Sequence, residues 1–309
     1  MSLTREHIVW AYRILLDRDP ESDAAIQPKL AGCKTTQQLR ADIVTSQEYR
    51  DKNPDFAHTN DRTIVIREFD SGIRLFVDLS DHLIGLPIIR GQYERDELGF
   101  IRHTVKPGDH VLDLGAHFGY FAIHMADLVG PRGTVTAFEP FEDNAALLAR
   151  SIRENRFENR VRLERAAVAR ASGAIGLAFA TETLNSGGAF LSSTTAVPGH
   201  VVREVRAVAL DDVDLPRPIA FIKMDVEGAE PLALEGAARL LAQDRPVILS
   251  ELHAAQLKRV SGVTVDAFLR DLRSKGYGVF QLAGDRPGPE LTTGPQEPVC
   301  SVVMVPEDR

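Results

Sequence analysis

HVLDLGAHFGYFA, residues 110–122, reads as a buried strand, a glycine turn and the start of a helix. Val111, Leu112 and Leu114 form an apolar run of strand length, and Gly115 and Gly119 bracket a turn that lets backbone approach a ligand closely. Asp113 points toward that turn. A loop that cradles a pyrophosphate wants glycines at its first, third and sixth positions, and here those positions hold Gly115, His117 and Tyr120. Side chains stand where phosphates would lie, so the loop suits a nucleoside ligand without phosphates. S-adenosylmethionine is the commonest such ligand.

Outward from this stretch, strands and helices alternate. We read strand 109–114, helix 119–129, strand 134–139, helix 142–154 and strand 161–168, then strand 219–225, a helix near 229–242, strand 246–252 and a helix near 264–275. Strands near 277–281 and 299–305 close the series. This is the rhythm of a parallel α/β sheet with crossover helices. The interval 174–208 breaks it with short strands and a loop rich in Gly, Ser and Thr, an insertion of the kind that carries specificity. Upstream, TIVIREF and IRLFVDL flank a turn at Ser71-Gly72 and predict a hairpin, and residues 87–105 read as helical segments ending at Lys106-Pro107-Gly108. Residues 5–16 have helical spacing up to the Asp19-Pro20 stop, and a second helix is predicted from Thr36 to about Arg50. Asn53-Pro54 and the polar residues to Asp61 read as a linker. The expected organisation is a helical module over 1–60 and an α/β domain over 61–309.

Composition narrows the partners. A net charge of -8 and the lack of a clustered basic surface argue against a nucleic-acid partner, because binding a polyanion needs such a surface. The two cysteines, Cys33 and Cys300, stand in no metal-ligand or redox pattern and are expected to be reduced. MSLTREHIVW has no leader pattern, and no apolar run is long enough to span a membrane, so a cytoplasmic location is expected.

In an open α/β sheet the ligand sits outside the carboxyl ends of the strands. Glu139, 24 positions after Gly115, ends the second strand, where a carboxylate accepts hydrogen bonds from ribose hydroxyls. A glutamate capping the helix near Glu142 is the plainer alternative. Asp225 ends the fourth strand and opens DVEGAE, in which Glu227 and Glu230 are explained by a helix start that favours acidic groups. Glu251 and His253 end the fifth strand, and their spacing of two puts both side chains on one face. His82, His103, His110, His117 and His124 lack comparable partners and are expected to be structural or solvent-facing.

With HVLDLGAHFGYFA, TAFEPFEDNAALL, ALDDV, FIKMDVEGAEPLALEGAARLL and RPVILSELH in order, the chain resembles the FkbM-type S-adenosylmethionine-dependent methyltransferases from about Tyr93 to His253. The resemblance implies a Rossmann-like seven-stranded sheet and methyl transfer to an oxygen. It implies that Asp113, Gly115, Ala116 and Gly119 hold the methionine end of the cofactor, Glu139 the ribose and Ala166 the adenine edge. Asn185, in LNSGG, falls where the family carries a polar loop facing the cofactor. AYRILLDRDPESDAA together with LRADIVTSQEYR resembles a short helical repeat found in bacterial surface and glycan-related proteins, which tilts the acceptor toward a sugar or glycan. A polyketide-like or other small natural product is the alternative acceptor.

A sulfonium methyl is already activated, so the protein has to align the acceptor oxygen, which can be worth about 7–11 kcal/mol. Removing the hydroxyl proton during attack can add about 10²–10⁴-fold. His253 is the first candidate for that base, with Asp225 or Glu251 orienting it. The same three residues, Asp225, Glu251 and His253, could instead hold Mg²⁺ that acidifies the acceptor. A nicotinamide oxidoreductase would need His117 to tolerate a pyrophosphate, and a non-catalytic cofactor-binding scaffold would not need His253 or Asp225. The sequence leaves the metal, the acceptor and the oligomeric state open.

Overall fold

The computed structural model describes residues 3–44, 46–52, 62–81, 83–180, 186–295 and 297–308. They form two compact units, Met1–Thr63 and Ile64–Arg309. The linker expected from Asn53 to Asp61 lies outside the described residues.

The first unit holds α1 (Arg5–Leu16), α2 (Asp23–Gly32), α3 (Thr36–Val44) and α4 (Gln47–Lys52). Ile8, Tyr12 and Leu16 of α1 pack with Ile26, Leu39 and Ile43 into a small core. Thr4 caps α1, and the helix ends with Asp17 in the left-handed region, ahead of the Asp19-Pro20 stop. α2 has no counterpart in the sequence reading, because Pro28 lies inside it. The single helix read from Thr36 is two, because Ser46 Oγ accepts from Tyr49 N at 3.2 Å and starts the chain afresh as α4.

The second unit opens with β1 (Ile64–Glu68) and β2 (Arg74–Asp78), the expected antiparallel hairpin. α5 (Gly85–Ile89), α6 (Arg95–Thr104), β3 (His110–Leu114), α7 (Tyr120–Val129), β4 (Thr134–Phe138), α8 (Glu142–Glu154), β5 (Val161–Glu164) and β6 (Ala167–Val168) follow. The insertion supplies β7 (Gly173–Ala180), β8 (Phe190–Ser192) and β9 (His200–Val208). The chain continues through β10 (Ile219–Met224), α9 (Glu230–Glu235), α10 (Ala238–Asp244), β11 (Val247–His253), α11 (Ala254–Val260) and α12 (Val265–Ser274) to β12 (Tyr277–Ala283), β13 (Arg286–Glu290) and β14 (Val299–Pro306).

Among the described residues the main sheet runs β13-β12-β14-β11-β10-β3-β4-β5, and a second sheet runs β6-β9-β7-β8. The main sheet therefore has eight strands rather than the expected seven. The extra one is β13, whose sequence RPGPE gives no strand signal, since proline cannot donate to a ladder and is tolerated only at an edge. The strand read over 161–168 breaks after Glu164, where Ala166 N donates back to Glu164 O at 2.9 Å, and β6 leaves to pair with β9.

Side-chain alternation sorts the core into two layers. Val111, Val135 and Phe221 face α6, α7 and α8, whereas Leu112, Phe138 and Ile222 face α9, α10 and α12. β3 pairs in parallel with β4 on one side and β10 on the other. Chain direction along the sheet reverses there, which leaves a crevice at the carboxyl ends of β3 and β10.

Gly115 closes the wall of that crevice. Its φ is +81°, and a Cβ there would lie 1.9 Å from the carbonyl oxygen of Asp225, whose N–H donates to Leu114 O at 2.9 Å. Gly115→Ala is therefore expected to destabilise by at least about 3 kcal/mol in urea unfolding, combining backbone strain with a clash that cannot relax. Gly108, at φ +94° with nothing within 4 Å, isolates the strain alone, and Gly108→Ala should cost only about 1–2 kcal/mol. Equal losses at the two positions would refute the close-packing argument.

Candidate active site

A cavity of about 500 Å³ opens where β3, β4, β10 and β11 end. Asp113, Gly115, Ala116, Glu139, Ala166, Asp225, Glu251 and His253 all lie on its wall. Gly119, expected at the cofactor, does not. It starts α7 at φ +98° with its Cα turned to Leu148, whose Cδ1 would be 2.4 Å from a Cβ, so this glycine serves the turn and its packing. Asn185 and His82 lie outside the described residues.

One half of the cavity could hold a nucleoside. Glu139 is buried at the end of β4 and accepts hydrogen bonds from His117 N and Phe141 N, each at 2.7 Å. Burial nevertheless pushes its carboxyl up to about 7. Asp113 is 2% exposed, and its Oδ2 has no hydrogen-bond partner among the described residues. Burial pushes this carboxyl up to about 7 as well, against the pull of Lys223. An orphaned buried oxygen on a cavity wall is what a donor group of a ligand would satisfy. Ala166, Val168, Leu177 and Leu191 make an apolar slot beside it, of a kind that fits a purine ring. His117, expected to be a bystander, is on this wall at φ +51° with Nε2 3.6 Å from Oδ2 of the buried Asp81.

The other half gathers charge around a residue that the sequence reading passed over. Lys223 is buried, with Nζ 3.5 Å from Asp225 Oδ2, 3.8 Å from Glu94 Oε2 and 4.9 Å from the centre of the Phe121 ring. Burial opposes its charge, but Asp225, Glu94, Asp113 and Glu251 together hold the ammonium above the usual lysine range. Only the spacing of two that puts 223 and 225 on one face was open to the sequence, whereas the register that sets Lys223 beside Asp113 belongs to the folded sheet. Tyr93 and Glu94 carried no signal, since they sit in the connection before α6, far from any strand end. Glu94 adopts φ +35°, a left-handed conformation that costs a non-glycine residue energy and clusters at functional sites. Tyr93 packs edge-on against Tyr120 with ring centres 5.1 Å apart, and both rings line the cavity.

The carboxyls here are crowded. Burial, then Asp225, pushes Glu251 up to about 7. Burial, then Asp225 and Glu251, pushes Glu227 up to about 8. Glu230, which accepts from Gly228 N at 3.2 Å, is pushed by burial up to about 7. Carboxyls that are raised in the folded state bind protons the unfolded chain has already released, so they stabilise at low pH and lose that contribution as pH rises through their folded values. With no ligand added, the protein is expected to show a Tm that falls steadily between about pH 5 and about pH 8.5. A Tm that rises across that interval in differential scanning fluorimetry would contradict the crowding.

His253, the first candidate for the base, lies on the same wall. It is the N-cap of α11, and its Nδ1 accepts from Gln256 N at 3.3 Å. A neutral imidazole in that arrangement carries its proton on Nε2, so the ring can donate but is not placed to take a proton. The Mg²⁺ alternative also lacks a donor set. Among the described residues no group of three His, Cys, Asp or Glu side chains is disposed to hold a metal. Asp225 faces the Lys223 ammonium and His253 is spent on its cap.

Among the described residues no helix is long and apolar enough to cross a membrane. No curated protein matches the sequence. The structure is similar to the methyltransferase FkbM from Methylobacillus flagellatus KT, at 14% identity and a TM-score of 0.41, covering 96% of this chain and 58% of that one. It is similar to an S-adenosylmethionine-dependent O-methyltransferase from Thermotoga maritima, at 13% identity and a TM-score of 0.39, covering 78% and 77%. It is also similar to an rRNA methylase from Streptococcus thermophilus, at 13% identity and a TM-score of 0.39, covering 68% and 93%. The methyltransferase FkbM domain matches residues 113–279, more than half of the chain and the span that carries β3 to β12, so this protein belongs to the FkbM methyltransferase domain family.

Proposed function

We propose that the protein moves the methyl group of S-adenosylmethionine to a hydroxyl oxygen of a sugar or glycan. The observation that carries this reading is a single cavity lined by two kinds of side chain. Its wall joins the apolar side chains of Ala166, Val168, Leu177 and Leu191 and the carboxyl of Glu139 with the rings of Tyr93 and Tyr120 and the carboxylates of Glu94, Asp225 and Glu251. Aromatic faces and carboxylates together suit a ring that carries several hydroxyls. A polyanionic acceptor such as RNA would meet those carboxylates with one lysine between them, which disfavours it. The resemblance of the first unit to a repeat of glycan-related proteins points the same way.

S-adenosylmethionine would supply a methyl group already activated on sulfur. In this reading Asp113, Gly115 and Ala116 hold its methionine end, Glu139 accepts from its ribose hydroxyls and Ala166 lies along the adenine. Glu251 takes the acceptor's proton, because a carboxyl near 7 is basic enough to accept it and is available as the anion near neutrality. Asp225, fixed by Lys223, accepts from a neighbouring acceptor hydroxyl, and His253 donates through Nε2. Tyr93 and Tyr120 keep water off the transfer line.

The test is incubation with deuterated-methyl S-adenosylmethionine and separate polysaccharide, RNA and small-molecule fractions, followed by mass spectrometry of hydrolysates. Label in O-methyl sugars is expected. Label confined to RNA or to nitrogen would overturn the acceptor assignment.

A further inference from the structure

The two halves of the cavity meet around an excess of negative charge. Asp113 of β3, Asp225 at the end of β10, Glu227 in the turn after it, Glu251 of β11 and Glu94 before α6 all line the wall, and Lys223 is the cation among them. Glu139 of β4, the imidazoles of His117 and His253 and the phenols of Tyr93 and Tyr120 line the same surface, with Glu230 of α9 and Arg259 of α11 close to Glu227. The Asp113 Oδ2 is 98% shielded from solvent with its residue and has no partner among the described residues, so the cavity leaves an acceptor oxygen unsatisfied on its wall. Crowded, desolvated carboxylates favour a ligand that brings positive charge.

We propose that this cavity distinguishes the donor from its spent form by charge, binding the sulfonium of S-adenosylmethionine in preference to the neutral thioether of S-adenosylhomocysteine. The proposal rests on the donor named above. In the transfer, a bond forms between the acceptor oxygen and the methyl carbon as the carbon–sulfur bond breaks. The bonding pair stays on sulfur, which becomes neutral, and the acceptor's proton passes to Glu251. The positive charge thus leaves the ligand and appears on the protein as a proton. The thioether is left in a wall built for a cation, and it departs as Glu251 loses that proton to solvent. Product inhibition is correspondingly weak.

Donor and product differ only in the methyl group and its charge, so calorimetric titration of the full-length protein with each one isolates the effect. At about pH 8.5, where the wall carries most negative charge, S-adenosylmethionine should bind at least about tenfold more tightly than S-adenosylhomocysteine. The ratio should shrink toward about pH 6, as Glu227, Glu251 and Asp113 take up protons. Sinefungin, which carries an ammonium in place of the transferable methyl, one bond from the sulfonium position, should follow S-adenosylmethionine. Asp225→Asn should weaken S-adenosylmethionine several-fold and leave S-adenosylhomocysteine within about twofold. If that variant does not fold, the pH series and sinefungin on the unaltered protein decide alone. Equal or tighter binding of S-adenosylhomocysteine at both pH values overturns charge selection while leaving the donor assignment standing. Binding of neither compound overturns the donor assignment itself.

Discussion

Lys223→Met is expected to lower the unfolding free energy by about 3–5 kcal/mol near pH 8, with most of the loss recovered on acidification. Methionine has a similar length and keeps the apolar contact with the Phe121 ring, so the change isolates the ammonium. Without it, Asp113, Asp225, Glu94 and Glu251 face one another across a buried space. The folded chain can then persist only by binding protons that the unfolded chain, with ordinary carboxyls, has given up. Stability is accordingly present at low pH and lost as pH rises through the folded-state values, which already reach about 7 for Asp113 and Glu251 with the lysine in place. Urea unfolding of the variant and the unaltered protein at two pH values measures this directly. A loss of the same size at both would mean that Lys223 acts by packing alone.

Glu251→Gln is expected to cut methyl transfer about 10²–10⁴-fold while leaving the affinity for S-adenosylhomocysteine unchanged. The substitution keeps shape and removes both the charge and the capacity to accept a proton, so the rate is compared at saturating S-adenosylmethionine. In the unaltered protein the rate should fall as pH drops below about 7, since Glu251 is pushed up to about 7 and must be ionised to act. His253→Ala supplies the contrast. Its ring caps α11 through Nδ1, so its removal should cost less and should leave the acidic limb of the profile in place. An acidic limb that vanishes in His253→Ala and survives in Glu251→Gln would return the base to the imidazole. Together with the Tm expected to fall as pH rises, these profiles set activity against stability: the ionisation that starts the reaction is one that the fold resists.

Local sequence carried the parts of the fold whose signals are local. The strand, turn and helix at His110–Ala122 were legible because apolar run, glycine and amphipathic stretch succeed one another, and α8 begins and ends where its apolar spacing does. β13 was not legible, because RPGPE owes its place to the free edge of β12 and not to any preference of its own residues. The site divides along the same line. Asp113, Glu139, Asp225 and Glu251 could be read from the rule that strand ends carry chemistry. Lys223 resembled one more residue of an apolar strand until register set it against Asp113. Tyr93 and Glu94 reach the cavity only through tertiary packing. Which nitrogen of His253 meets the backbone of Gln256 is a detail that no pattern encodes.

The wall made by Leu83, Ile84, Tyr93 and Glu94 precedes residue 113, where the span shared with the FkbM domain begins. One flank of the cavity is therefore drawn from chain outside the part that defines the family, and it meets the shared part through the Glu94–Lys223 and Asp81–His117 pairs and through the Tyr93 ring against Tyr120 and Phe121. A foreign segment grafted between β2 and α6 would have to restore acids at 81 and 94 and a ring against Tyr120, so this flank is retuned more readily by point substitution than by exchange.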